Sequence, residues 1–391
     1  MQQDRWTLSQ LLAPTELTSF FEDYWEQAPL LASRPENFFR DLFQIEDLDH
    51  LFSMPGLVAS ENFRLLDRDS PGDVLPFDGG GDTLSQAQVY HAFDRGSTIN
   101  VLGLHRFWPR VGAFCRGLEE TLHHRIYCNL FFTPSNAKRL HAHYDDQDVL
   151  IIQLSGSKRW QIDEHCYPLP LRGDNADVPL GPNSRDFLIR QGDVLYLPRG
   201  FIHQPAVLDS MSLHLTVGIT PHRWVDLVSS ALITKSQREQ KLRRALPPGV
   251  LFNPARHHEL NDQFQQLISE CLDGASLNDA VSHLAAGSLG EMYPLAGEHF
   301  DQLVGRDEIT ENTRVRRRPG MLCRVHVADG RSVIQFPGNQ VFGPASISPA
   351  LEYIAAAPGE FAVGDLPGLE HPSRIILVQQ LVLEGLLTEI I

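Results

Sequence analysis

The chain has 391 residues, enough for two or three domains, and its 42% hydrophobic and 21% charged content excludes a disordered or fibrous class. A formal net charge of -16 excludes a whole-molecule affinity for nucleic acid, which needs clustered Lys and Arg; it fits a basic protein or peptide partner, and equally serves solubility alone. Cys115, Cys128, Cys166, Cys271 and Cys323 are odd in number and lack CxxC spacing, which excludes a disulfide framework or structural zinc site and suits a reducing cytoplasm.

In chain order, residues 1 to about 60 read as short helices. Leu8, Leu11 and Leu12 give one apolar face, Leu17, Phe20, Phe21 and Trp25 a second, and Phe38, Phe39, Leu42 and Phe43 a third. The opening MQQDRWTLSQLL has no cationic start followed by an apolar run, so no signal peptide is expected, and no stretch of the chain has the apolar length of a membrane span. Residues 61 to 85 read as loop, with turn signals at Pro71-Gly72 and Gly79-Gly80-Gly81-Asp82. A helix is expected within 98–124, with Pro109 and Gly112 as possible interruptions.

From about 125 to 220 the pattern changes to short apolar runs: IYCNLFF, DVLIIQL, KRWQI, DFLI, DVLYL and SLHLTVGI. Turn residues separate several of them, as in a sandwich or barrel. Within 140–162 the expectation is a strand, a tight turn at Ser155-Gly156, and a second strand. After Pro221 the chain turns helical, with WVDLVSSALITKSQREQKLRRAL and ELNDQFQQLISECL either forming an interaction module or simply covering the barrel. Beyond about 290, RVHVADGRSVIQF reads as a hairpin around Asp329-Gly330. Ser348-Pro349 reads as a helix start, with serine as N-cap, and RIILVQQLVLEG as a helix stopped at Gly385 before a closing strand, LLTEII. Arg314, Arg316, Arg317 and Arg318 form the one dense basic cluster and read as a solvated linker, or else as a contact for nucleic acid or an acidic surface.

The chemistry concentrates at two places. His143 and Asp145 sit two residues apart, so an extended strand aims both at one point. His203 follows the Pro198–Gly200 turn in GDVLYLPRGFIHQ. Two His and one carboxylate with open positions is the donor set of non-haem Fe(II) oxygenases. Lys158, on the next strand, suits the distal carboxylate of 2-oxoglutarate. Asn129 and His214 are candidates for contacts near it, or else core polar residues. A competing set adds His141 and Asp148 to His143 and His203, as in a three-His-one-acid cupin holding Mn or Ni.

HYDDQDVLIIQLSGSKRW, GDVLYLPRGFIHQ and FFEDYWEQAPLL resemble the JmjC-type ribosomal oxygenases of the cupin superfamily, along nearly the whole chain. The resemblance implies a mixed α and β fold: a double-stranded β-helix (jelly-roll) JmjC catalytic domain, a helical dimerisation region, and a C-terminal winged-helix-like domain. The expected boundaries are 1–222 (barrel core about 90–220), 223–288 and 289–391. It also implies Fe(II) on His143, Asp145 and His203, 2-oxoglutarate on Lys158, and hydroxylation of a ribosomal protein arginine or histidine by a cytoplasmic homodimer. Phe131 departs from the tyrosine of some relatives. The other readings are a non-catalytic metal-binding cupin scaffold and an oxygenase of small molecules.

Overall fold

A computed structural model describes residues 6–54, 59–67, 73–75, 85–135, 137, 141–174, 176–295, 299–328 and 330–390. The chain forms two compact units, Met1–Pro221 and His222–Ile391.

The first unit is organised by eleven antiparallel strands: β1 (Leu30–Ala32), β2 (Phe63–Leu66), β3 (Val74–Leu75), β4 (Thr98–Val101), β5 (Arg125–Thr133), β6 (His143–Tyr144), β7 (Asp148–Cys166), β8 (Ala176–Asp177), β9 (Arg185–Arg190), β10 (Val194–Leu197) and β11 (Phe201–Thr220). Strands β7 and β11 are long enough to serve two sheets. Their stretches 149–152 and 212–220 lie in the order β1-β10-β7-β11-β5-β4-β2-β3. Their other halves pair with β9 and with β6, which in turn pairs with β8. Two sheets sharing two bent strands make the expected jelly roll.

Alternation along each strand assigns its side chains to two cores. Ile126, Cys128, Leu130 and Phe132 of β5, with Leu213, Leu215, Val217 and Ile219 of β11, pack outward under the N-terminal segments and helix Pro109–Leu122. The alternate residues face inward, where Val149, Ile151, Trp160, Ile162, Ile189, Leu195 and Leu197 form a smaller core.

Several local expectations are corrected. Ser155-Gly156 does not end a strand: β7 runs straight through, with Gly156 at φ 68 and register shifts against β11 nearby. A left-handed glycine in a ladder is how a bulge bends a strand without breaking it. Pro109 does not interrupt its helix but starts it, where its missing N–H costs nothing. Phe38, Phe39 and Leu42 lie in consecutive turns rather than a helix, with Phe43 just past them, although Phe39, Leu42 and Phe43 do enter the core. The sheet begins at β1, well before residue 90, and the supposed loop 61–85 contributes β2 and β3. The turn signals at 71–72 and 79–82 lie outside the described residues.

In the second unit, helices Trp224–Arg238, Asn261–Asp273 and Leu277–Glu291 precede two small sheets. The first joins β12 (Arg314–Arg317), β16 (Phe361–Ala362) and β17 (Leu387–Glu389); the second is the meander β13 (Arg324–Ala328), β14 (Arg331–Phe336) and β15 (Asn339–Pro344). The β13–β14 hairpin closes across two residues, of which Asp329 lies outside the described ones. The basic cluster is strand rather than linker: Arg314 pairs with Glu360 at 3.0 Å, and Arg317 and Arg318 donate to the carbonyls of Ala357 and Gly385. Ser348 does not cap its helix. A 3₁₀ turn, Ala345–Ile347, runs into it, and the Ser348 hydroxyl meets that of Ser332 at 2.6 Å instead.

Candidate active site

His143 sits in the two-residue strand β6, directly opposite His203 at the start of β11. Asp145 follows β6 immediately, and its backbone carbonyl accepts from Gly200 N at 2.9 Å, so the two ligand-bearing segments are tied at the main chain. The candidate ligand atoms of His143, Asp145 and His203 all lie within 4.8 Å of one another. His203 Nε2 is 3.7 Å from Asp145 Oδ2, and the imidazole centroids are 4.4 Å apart.

Both rings are oriented the same way. Nδ1 of His143 donates to the carbonyl of His141 at 3.0 Å, and Nδ1 of His203 to that of Phe201 at 3.0 Å. Each bond places the proton on Nδ1 and leaves the Nε2 lone pair free, the arrangement a metal-ligating histidine requires. Burial, then the neighbouring His143, pushes His203 down to about 4, with Asp145 acting in the opposite direction; the ring is therefore neutral near pH 7. Two neutral imidazoles and one carboxylate fit Fe(II), with room for further ligands.

The competing four-ligand set is not brought together. The His141 side chain is exposed, with Nδ1 3.7 Å from Asp177 Oδ2, and it is the residue's carbonyl that serves the site. Asp148 is fully buried against Arg199 at 2.7 Å and Tyr196 at 3.1 Å.

Beyond the triad, inward residues of β5, β7 and β11 gather around Trp160, whose ring centre is 5.7 Å from that of His203. Lys158 is 2% exposed, its Nζ 3.5 Å from Thr133 Oγ1 and 5.6 Å from the centre of the Trp160 ring. Burial lowers it to about 7, and among the described residues no acidic side chain offsets that cost. His214 stacks on Phe131 at 5.2 Å and meets the edge of Trp160 at 5.9 Å. Burial, then the Lys158 charge, pushes its pKa well down, and among the described residues its Nδ1 has no hydrogen-bond partner. Asn100 Oδ1, in the same cross-strand row, is also unpartnered. A buried ammonium beside open polar atoms fits an anionic guest with further acceptors and donors. Asn129 is committed differently: its Oδ1 accepts from Gly103 N at 3.0 Å, so only its amide nitrogen remains for a guest.

Thr133, Trp160 and Asn100 escaped the sequence reading. Thr133 and Trp160 share strand parity with Asn129 and Lys158, which was signal enough to find them. Asn100 lies on β4, a strand that went unrecognised.

Residues 105–227 match the family model described as JmjC domain. Ribosomal oxygenase 2 of Rattus norvegicus is 30% identical over 284 residues, covering 68% of this chain and 60% of that protein. The bifunctional lysine-specific demethylase and histidyl-hydroxylase NO66 of Drosophila persimilis is 29% identical over 263 residues, covering 63% and 37%. The chain thus spans between about a third and three fifths of the length of these relatives. Among solved structures, ycfD of E. coli superposes with a TM-score of 0.62 at 21% identity, covering 96% of this chain and 98% of that one. The E. coli ribosomal oxygenase in complex with cobalt and 2-oxoglutarate superposes at 0.60 and 20% identity. Residues 105–227 are therefore a JmjC domain, and the chain as a whole carries the fold of the E. coli ribosomal oxygenase structures and is a relative of the ribosomal oxygenases.

Proposed function

We propose that this chain is an Fe(II)- and 2-oxoglutarate-dependent oxygenase that hydroxylates an arginine or histidine side chain of a ribosomal protein. The observation that carries the reading is the pairing of two features on either side of Trp160: a His143–Asp145–His203 triad with both Nε2 lone pairs unprotonated, and a buried Lys158 with no acidic partner among the described residues. The names of the relatives supply the substrate class.

On this reading His143, Asp145 and His203 would hold the metal, which when bound would supply dioxygen activation coupled to oxidation of the keto acid. Lys158, with the Thr133 hydroxyl, binds the distal carboxylate, and that ion pair replaces the solvation the ammonium lost on burial. His214 and the Asn129 amide contact the rest of the co-substrate. Trp160 and Phe131 pack its carbon chain and exclude water, and the side of His143 and Asp145, both less buried than His203, is where the protein substrate enters.

The second unit supports a homodimer. Trp224 and Val228, Phe264 and Ile268, and Leu277 and Val281 are three i,i+4 pairs of exposed apolar residues on successive helices, the content of a buried helical interface. We assign 223–288 as the dimerisation region and 289–391 as the winged-helix-like domain. Among the described residues no helix is long and apolar enough to cross a membrane.

Conversion of 2-oxoglutarate to succinate is expected to require iron and to vanish in His143→Ala and Asp145→Ala. Full turnover in either variant sinks the assignment. Metal binding without any turnover by the wild type indicates the scaffold reading instead. Mass spectrometry of ribosomal proteins from cells with and without the gene tests the target, the expected difference being the mass of one oxygen atom.

A further inference from the structure

We infer that Glu26, in the segment ahead of the barrel, is a positioning residue for the metal ligands and acts on them through a buried ring of hydrogen bonds. The inference rests on the metal-site reading above but concerns residues outside that site. Three residues past Asp145, the Asp148 carboxylate accepts from Arg199 N at 3.2 Å, Arg199 Nη1 at 2.7 Å and the Tyr196 hydroxyl at 3.1 Å. One carboxylate thereby fixes the turn that carries His203 to the segment that carries Asp145. Arg199 then reaches outward: its Nη2 lies 2.5 Å from Glu26 Oε1. The Glu26 backbone N–H donates to the Tyr196 hydroxyl at 2.9 Å, which closes the ring.

Neutralising Arg199 requires one acid, and Asp148 already supplies it. The second acid does something different. A guanidinium held on two edges by two carboxylates has its plane fixed, and with it the peptide that bears it; held on one edge it can pivot. Arg199 is the neighbour of Gly200, whose N–H bonds the Asp145 carbonyl, so a pivot there is transmitted to the separation of Asp145 and His203.

The chain ahead of the barrel is shaped for this contact. Glu26 has φ 59, a left-handed conformation that a residue with a side chain rarely adopts, and in it the N–H and the carboxylate of one residue address the same network. Trp25 stacks on Tyr196 at 5.9 Å and 13°, and Phe20 meets the same ring edge-on at 4.9 Å. Leu30 of β1 pairs with Tyr196 in the sheet. A segment that served only to cover the core would need the aromatics and the strand, but not the strained acid.

The test is metal affinity of the full-length protein, measured by titration with Mn(II) without co-substrate, together with the visible absorption of the Co(II) form as a report on ligand geometry. Glu26→Ala is expected to fold, to raise the Mn(II) dissociation constant about tenfold, and to shift the Co(II) bands. Glu26→Gln, which keeps the shape and one hydrogen bond, is expected to show a smaller rise. A folded Glu26→Ala protein with wild-type Mn(II) affinity and an unchanged Co(II) spectrum overturns the inference. If that variant does not fold, Glu26→Gln decides, and an unaltered constant and spectrum there overturn it equally. Asp145→Ala is titrated alongside. Equal Mn(II) binding by wild type and Asp145→Ala removes the metal reading itself, an outcome distinct from failure of Glu26 alone.

Discussion

Lys158 is the residue whose protonation should govern co-substrate binding. Burial alone brings it to about 7, whereas a bound carboxylate would favour the charged form. Above pH 7, binding must therefore be accompanied by proton uptake. The affinity for 2-oxoglutarate is expected to fall by up to about tenfold per pH unit there and to be flat below. The same shift acts on stability in the opposite sense. A pKa depressed from 10.5 to about 7 means that the unfolded chain binds more protons between those values, so stability rises with pH across that window and the cost of the buried charge is felt in full below it. Isothermal titration from pH 6 to 9 checks the first effect, and Lys158→Arg, which does not titrate in this range, should flatten the profile. At this scale the sequence was informative about charge and spacing: His143, Asp145 and His203 do come together, although Asp145 lies just past the two-residue β6 rather than on an extended strand with His143. It was silent about partners. Nothing in the string HAHYDDQD distinguishes Asp145, open to the site, from Asp148, locked against an arginine fifty residues downstream, because that difference arises only when β10 is laid beside β7. Asp148→Ala leaves the Arg199 charge buried with only the half-exposed Glu26, and is expected to lower stability by about 3–5 kcal/mol in urea denaturation.

Among the elements, β7 explains most. It enters as part of one sheet, bends at Gly156 and leaves as part of the other, and Lys158 lies two residues beyond the bend. A Cβ at position 156 would collide with the Met211 carbonyl on the adjacent strand, besides requiring a left-handed φ. Gly156→Ala is therefore expected to cost at least about 2 kcal/mol of stability and to weaken 2-oxoglutarate binding more than metal binding, since the ligand triad lies away from the bend. Equal losses in both affinities would mean that the barrel yields as a whole. The Ser155-Gly156 pair reads as a turn because a bulge and a turn use the same residues; only the register of the partner strand tells them apart. Short strands were the other loss. β1, β2 and β3 have two to four residues each, too few for alternation to show, and they are recruited by a sheet whose long strands are already in place. Helix Pro109–Leu122, with five apolar core residues on one face, was legible in its existence but not in its start or its continuity, because Pro109 and Gly112 read as interruptions.

At the scale of the molecule, the two units differ in how their apolar surface is disposed. The barrel unit covers its apolar faces with its own N-terminal segments, while the helices of the second leave Trp224 83%, Phe264 57% and Leu277 65% exposed. Introducing a charge at two of these positions, as in Trp224→Glu with Phe264→Glu, is expected to convert a dimer to a monomer in light scattering while leaving the far-ultraviolet dichroism intact. A dimer that persists locates the interface elsewhere. The pairing of His143 with His203 carries a further consequence, for the order of events during synthesis. The first two candidate ligands leave the ribosome on and just after β6, whose earlier mate β8 carries no ligand of the triad; His203 follows only with β11. If the triad holds iron as proposed, no chain short of β11 presents it, so iron would not guide early folding or be captured at this site by an unfinished chain. Metal uptake thus becomes a record that β11 has closed the barrel, and a nascent chain stalled before residue 203 should emerge free of iron at this site however much is supplied.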